Sequence, residues 1–107
     1  MSMDKYLDYV LENTTERTLL EQLAEEASEL TWSALKLIRA KGYSNNPTNI
    51  DDETATINLI EEIVDVTLLI GLVGAKIGIL PPTADVTAAR AERWAKRLGY
   101  EDDKNEY

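Results

Sequence analysis

Apolar residues recur at helical spacing along almost the whole chain, and no stretch sustains the strict alternation that marks a half-buried strand. That periodicity predicts an all-α fold. Met3, Tyr6, Leu7, Val10 and Leu11 make a short amphipathic first helix, closed by Asn13-Thr14-Thr15, whose side-chain oxygens suit the cap of the next helix. The second helix is expected from about Glu16 to Lys41, with Leu23, Ala27, Leu30, Ala34 and Ile38 in one stripe and Gly42 placed to end it. From Gly42 to Ile50 the segment GYSNNPTNI is dense in turn formers. Asp51-Asp52-Glu53 then supplies negative charge where a helix N-terminus favours it. The third helix, about Asp52 to Lys76, is apolar on nearly all sides after Ile63, which predicts burial from several directions; Pro81-Pro82 is the expected stop. Thr83 to Leu98 reads as a fourth helix ended by Gly99, and YEDDKNEY as a polar tail.

A chain of 107 residues makes one domain, residues 1–107, and 44% hydrophobic content supports a modest core. Its formal charge of −9 argues against a nucleic-acid polymer or an anionic membrane surface as partner, while leaving room for a free nucleotide whose phosphates are shielded by a cation. The third helix is no membrane span, because Asp65 and Lys76 interrupt it short of the roughly 20 apolar residues required. MSMDKYLDYV has neither the basic start nor the apolar stretch of a signal peptide, so a cytoplasmic location is expected. There is no cysteine and no histidine, which removes disulfides, iron–sulfur clusters, thiolate zinc sites, imidazole bases and the Glu-x-x-His ligands of a di-iron bundle.

The ionic chemistry left to such a chain rests on its carboxylates. Glu25-Glu26-Ala27-Ser28-Glu29 falls within the second helix and Glu61-Glu62-Ile63-Val64-Asp65 within the third. Acids three residues apart lie about 60° apart around a helix and nearly one turn apart along it, so Glu26 and Glu29 can converge on one object, and Glu62 and Asp65 can do the same. Glu26 and Glu29 flank the apolar stripe, and Glu62 and Asp65 belong to a helix with little surface to spare for water. Ionised carboxylates are seldom enclosed without a counter-charge, since desolvation costs several kcal/mol per ion. If the two helices pack antiparallel, four acids meet across one groove with no local excess of Lys or Arg. Oxygen-only ligation then suits Mg²⁺, with Mn²⁺ as a substitute. The competing reading is two solvated acidic faces of the kind common on helices.

These acids resemble the signature of the MazG-type all-α nucleoside triphosphate pyrophosphohydrolases, EExxE on one helix and ExxD on the next. Glu25, Glu26 and Glu29 match the first half and Glu62 and Asp65 the second, within a resemblance covering roughly Leu20 to Val73. Between Glu29 and Glu62 lie 32 residues, more than is usual in that family, and the GYSNNPTNI loop absorbs the excess. The resemblance implies a four-helix MazG-like bundle and Mg²⁺ ligation by Glu26, Glu29, Glu62 and Asp65. It also implies hydrolysis of a (deoxy)nucleoside triphosphate to the monophosphate and pyrophosphate, with a housecleaning role in the nucleotide pool.

Without histidine the general base must be an acid, and Glu25 or Glu61 is placed to serve from the edge of the site. Lys36 and Lys76 fall on the same helix lines as the acids and are candidates for the outer phosphates, a solvated lysine being the plainer alternative. Arg93, within the basic set Arg90, Arg93, Lys96 and Arg97, either closes over the triphosphate or pairs with acidic neighbours. Trp32 is a candidate base-stacking platform, or a core filler, and Asn58 lies one turn before Glu62. The apolar third helix leaves more surface than a monomer of this size can cover, so assembly through that helix is expected. The family resemblance likewise implies a homodimer or homotetramer. Two alternatives stand beside the hydrolase: a non-catalytic acidic helical module that binds a partner through the third helix, and a related enzyme acting on another phosphate anhydride such as a phosphoribosyl nucleotide.

Overall fold

The computed structural model describes residues 4–79 and 84–102. Met3, Pro81, Pro82, Thr83 and the tail beyond Asp102 lie outside the described residues. Among the described residues there are four α-helices and no strand: α1 (Asp4–Asn13), α2 (Glu16–Ala40), α3 (Asp52–Ile77) and α4 (Ala84–Arg97). The protein is all-α, as its periodicity predicts.

Local chemistry sets the boundaries. The Thr15 hydroxyl accepts from the Thr18 amide at 3.1 Å and starts α2, one residue after α1 closes with Asn13 and Thr14 side chains donating to the Tyr9 and Val10 carbonyls. Asp51 does the same for α3, accepting from the Thr54 amide at 2.7 Å, and the bonds from Thr54 hold its carboxyl below the usual carboxylate range. That contribution to stability is present above the ordinary Asp pKa and is lost as the pH falls through the lowered one. Gly42 ends α2 in the left-handed conformation at φ 74°, letting the Tyr43 amide reach back to the Ile38 carbonyl. Helix α3 ends at Ile77, one residue past the expected end, but the residue that stops it is not a proline. Gly78, at φ 75°, stops it before the two prolines, and the Ile79 amide closes on the Gly74 carbonyl.

Helices α2 and α3 pair along their length and run antiparallel. Leu19, near the start of α2, packs with Leu72 and Val73 near the end of α3, while at the opposite end Lys41 and Asp52 form an ion pair at 3.1 Å. Helix α1 lies across the Leu72 end, where Leu7, Val10 and Leu11 cover the cluster together with Leu23, Leu69 and Ile77. Lys76 fastens it there, its ammonium donating to the Leu11 carbonyl at the end of α1. The loop between α2 and α3 is built of local bonds, Ser44 accepting from the Asn46 amide and Thr48 from that of Ile50.

Two expectations change in the single chain. The helices do not close into one four-helix bundle, because α4 does not pack on α1, α2 or α3; its apolar positions are chiefly alanines, which offer little area to bury. Nor is α3 buried from several directions, since Ile57, Ile60, Ile63, Val64, Leu68 and Ile70 are all exposed. With so small a core, Leu72→Ala is expected to cost about 2–5 kcal/mol, the range for deleting a buried leucine side chain. Urea denaturation of the variant beside the parent protein measures it.

Candidate metal centre

Between the apolar end of the α2–α3 pair at Leu19 and Leu72 and the Lys41–Asp52 ion pair at the other end, acidic side chains face one another. Glu26 from α2 meets Glu62 and Asp65 from α3, and one carboxylate oxygen from each lies within 4.8 Å of the others. Glu26 and Glu62 are half-buried and Asp65 is exposed, so the group sits at the edge of the helix interface rather than in its core. The Oε2 atoms of Glu26 and Glu62 are enclosed with no hydrogen-bond partner among the described residues. No lysine or arginine forms an ion pair with any of the three among the described residues.

This enclosure shows in the acid–base chemistry of Glu26. Its pKa is pushed up from 4.5 to about 7, first by burial, then by hydrogen bonding to Glu62, then by the charges of Glu29, Glu62 and Asp65. A proton on Glu26 gives the pair a hydrogen bond. With both groups ionised, acceptor faces acceptor, a contact that a proton or a cation would relieve. The donor set therefore fits a hard divalent cation: oxygen ligands only, anionic, close together and lacking protein counter-charge. Mg²⁺ binds oxygens at about 2.0–2.1 Å and keeps several waters, a requirement compatible with a site open on one side.

The other residues singled out in the sequence divide into two groups. Glu29, Trp32, Ser33 and Lys36 of α2 and Asn58, Glu61 and Glu62 of α3 line one polar cavity of about 340 Å³ that adjoins the acidic group. Glu29, expected as a fourth ligand, stands outside the close group and faces this cavity. Of the two candidate bases, Glu61 lines the cavity and Glu25 does not; both are exposed. Trp32 is 50% exposed, and its ring lies 5.5 Å from the Lys36 ammonium and 5.4 Å from the Arg39 guanidinium. Lys76 is placed elsewhere, about 21 Å along α3 from Glu62 by helical rise, with its ammonium on α1. Arg93 lies on α4, which does not pack against either acidic helix.

Ser33 shares the flank of the second helix that carries Glu26, Glu29 and Lys36, whereas Arg39 was not singled out from sequence. Ser33 is one turn beyond Glu29 and Arg39 two turns beyond Trp32, so the helical repeat alone places each beside a residue already singled out. The chain matches no protein-family model, no curated protein and no solved structure. No helix among the described residues is long and apolar enough to cross a membrane.

The raised pKa has a definite sign. Because folded Glu26 holds its proton more tightly than the unfolded chain does, its contribution to stability is present below about pH 4.5 and is lost as pH rises to about 7. Cation binding must displace that proton, so Mg²⁺ should raise the melting temperature more at pH 8 than at pH 6. Glu26→Gln should flatten the metal-free pH dependence and remove most of the Mg²⁺ response. Thermal melts in Mg²⁺ and in chelator check both, and equal Mg²⁺ shifts in parent and variant would contradict the assignment.

Proposed function

We propose that this protein is a divalent-metal-dependent nucleoside triphosphate pyrophosphohydrolase of the MazG type, releasing a nucleoside monophosphate and pyrophosphate and serving to clear the cytoplasmic nucleotide pool. The observation that carries the reading is the pair of enclosed, unpartnered carboxylate oxygens of Glu26 and Glu62, which open beside a polar cavity lined by an indole, a lysine and an asparagine. An acidic chain can accept a triphosphate only where cations stand between the two sets of negative charge.

In this reading Glu26, Glu62 and Asp65 hold Mg²⁺ or Mn²⁺, and Glu29 adds its charge from the cavity side. The bound ion supplies counter-charge to the phosphate oxygens and raises the electrophilicity of the phosphorus to be attacked. Glu61, on the cavity wall, accepts the proton of the attacking water; Glu25, outside the lining, supports the electrostatics of the first acidic helix. Trp32 offers an indole face to the base, kept in place by Lys36 and Arg39, and Lys36 is also the nearest cavity cation for the phosphate chain. Asn58 supplies amide hydrogen bonds from the opposite wall. Arg93 reaches a triphosphate only from a neighbouring subunit of a homodimer or homotetramer.

A second reading, a non-catalytic acidic module that recruits a partner through α3, is favoured by that helix's exposed isoleucines. It leaves the unpartnered carboxylates without a purpose. The two readings part on a panel of canonical and modified (deoxy)nucleoside triphosphates, extended to a phosphoribosyl nucleotide, assayed for pyrophosphate with Mg²⁺ or Mn²⁺. Pyrophosphate release is expected, with kcat reduced about 100-fold or more in Asp65→Asn and KM raised about 10-fold in Trp32→Ala. No turnover of any substrate, with no metal-dependent change in stability, would leave the module as the surviving account.

A further inference from the structure

Among the described residues the polar cavity beside the acidic centre is lined by a single cationic side chain, and no carboxylate claims it. Lys36 shares the lining with Glu29, Glu61 and Glu62, yet its ammonium forms no ion pair among the described residues. It lies instead over the Trp32 ring, 5.5 Å from the ring centre and within the roughly 6 Å reach of a cation–π contact. The helix puts it there. Lys36 follows Trp32 by four residues, and long side chains on a helix lean back towards its N-terminus, over the preceding turn. Arg39 holds the same ring at 5.4 Å but does not line the cavity. Of the two cations, only Lys36 stands where a ligand in the cavity meets it.

Two attractions compete for that ammonium. A cation–π contact at an exposed site is weak, and Trp32 is half exposed. A hydrogen bond from an ammonium to a phosphate oxygen is charge-assisted on both sides and is the stronger of the two. Phosphate oxygens come within its range. Lys36 lies seven residues beyond Glu29, about 10.5 Å along α2 by helical rise, and its long side chain leans back over that interval. A phosphate chain anchored at the acidic centre therefore wins the ammonium from the ring. The indole face so uncovered borders the same cavity, while Arg39 stays on the ring and keeps it oriented.

We propose that Lys36 gates the Trp32 platform: a base stacks on the indole only once phosphates have drawn the ammonium away. The inference rests on the nucleotide reading of the site and goes beyond it, because it makes the two halves of the ligand interdependent. A nucleoside meets a covered ring. A triphosphate uncovers the ring for its own base, so phosphate binding and base binding each strengthen the other by the same factor. The cavity then selects phosphorylated ligands twice over, through the phosphate contact itself and by withholding the stacking surface from anything that lacks one.

Trp32 fluorescence tests the gate. The chain has two tryptophans, and the other, Trp94, is exposed on α4, which does not pack against the site, so full-length Trp94→Phe leaves Trp32 as the sole indole. In that protein with Mg²⁺, inorganic tripolyphosphate, which carries no base, is expected to change Trp32 emission. It should also tighten binding of nucleosides, tried as adenosine, cytidine, guanosine and uridine, by about two- to five-fold. Adding Lys36→Met should tighten nucleoside binding by the same factor without tripolyphosphate and abolish the emission response. The same variant should bind nucleoside triphosphates whose α–β bridging oxygen is replaced by NH about ten-fold more weakly. Opposite shifts for the two ligands separate gating from a plain phosphate contact, which weakens triphosphate binding and leaves nucleosides unchanged. If the triphosphate analogues bind but tripolyphosphate leaves the emission unaltered, or Lys36→Met binds nucleosides no more tightly, the gate is overturned and the hydrolase reading stands. Failure of every triphosphate analogue to bind would overturn both.

Discussion

Two half-buried carboxyls, Glu26 and Glu62, face one another across the α2–α3 interface, each with an enclosed oxygen that finds no donor among the described residues. The packing of the two helices holds that contact in place. Leu19, Leu72 and Val73 lock one end, and Ala55 is almost fully buried towards the other. A short chain with a small core has little stability to spend, so a contact of this kind is costly unless a proton or a cation relieves it. The upward shift of Glu26 is the protein's own partial relief, a proton in the place where the chemistry of the ligands favours a metal ion.

The same economy governs the outside of the molecule. Helix α3 spends its inner face on α2 and, at one end, on α1, and leaves a long apolar seam uncovered. The acidic centre and this seam lie on different sides of one helix and are built from different residues of the same element. Lys76 lies on the side of the seam. Its ammonium secures α1 across the Leu72 end and thereby shapes one wall of an apolar groove that the seam borders.

Much of this was legible in the sequence because it is written in local chemistry. Thr15, Asp51 and Gly42 mark helix ends through side-chain oxygens and a left-handed glycine, and the acid-x-x-acid spacing places Glu26 opposite Glu62 and Asp65 once the helices are antiparallel. The remainder depends on quantities that spacing does not encode. Lys36 and Lys76 occupy similar angular positions relative to the acids, yet one lines the cavity and the other is displaced several turns along the axis. Hydrophobicity marked α3 as apolar on nearly all sides but not which of its faces the chain itself covers. Gly78 ends α3 ahead of the prolines because a left-handed residue closes a helix as effectively as a missing amide donor.

The central claim is that Glu26, Glu62 and Asp65 hold a divalent cation. Diffraction from a crystal soaked in Mn²⁺, collected for anomalous signal, tests it most directly. The account predicts a peak within bonding distance of carboxylate oxygens from all three residues. A peak elsewhere, or a map in which the Glu26 and Glu62 oxygens sit against each other sharing a proton with no ion beside them, would contradict it.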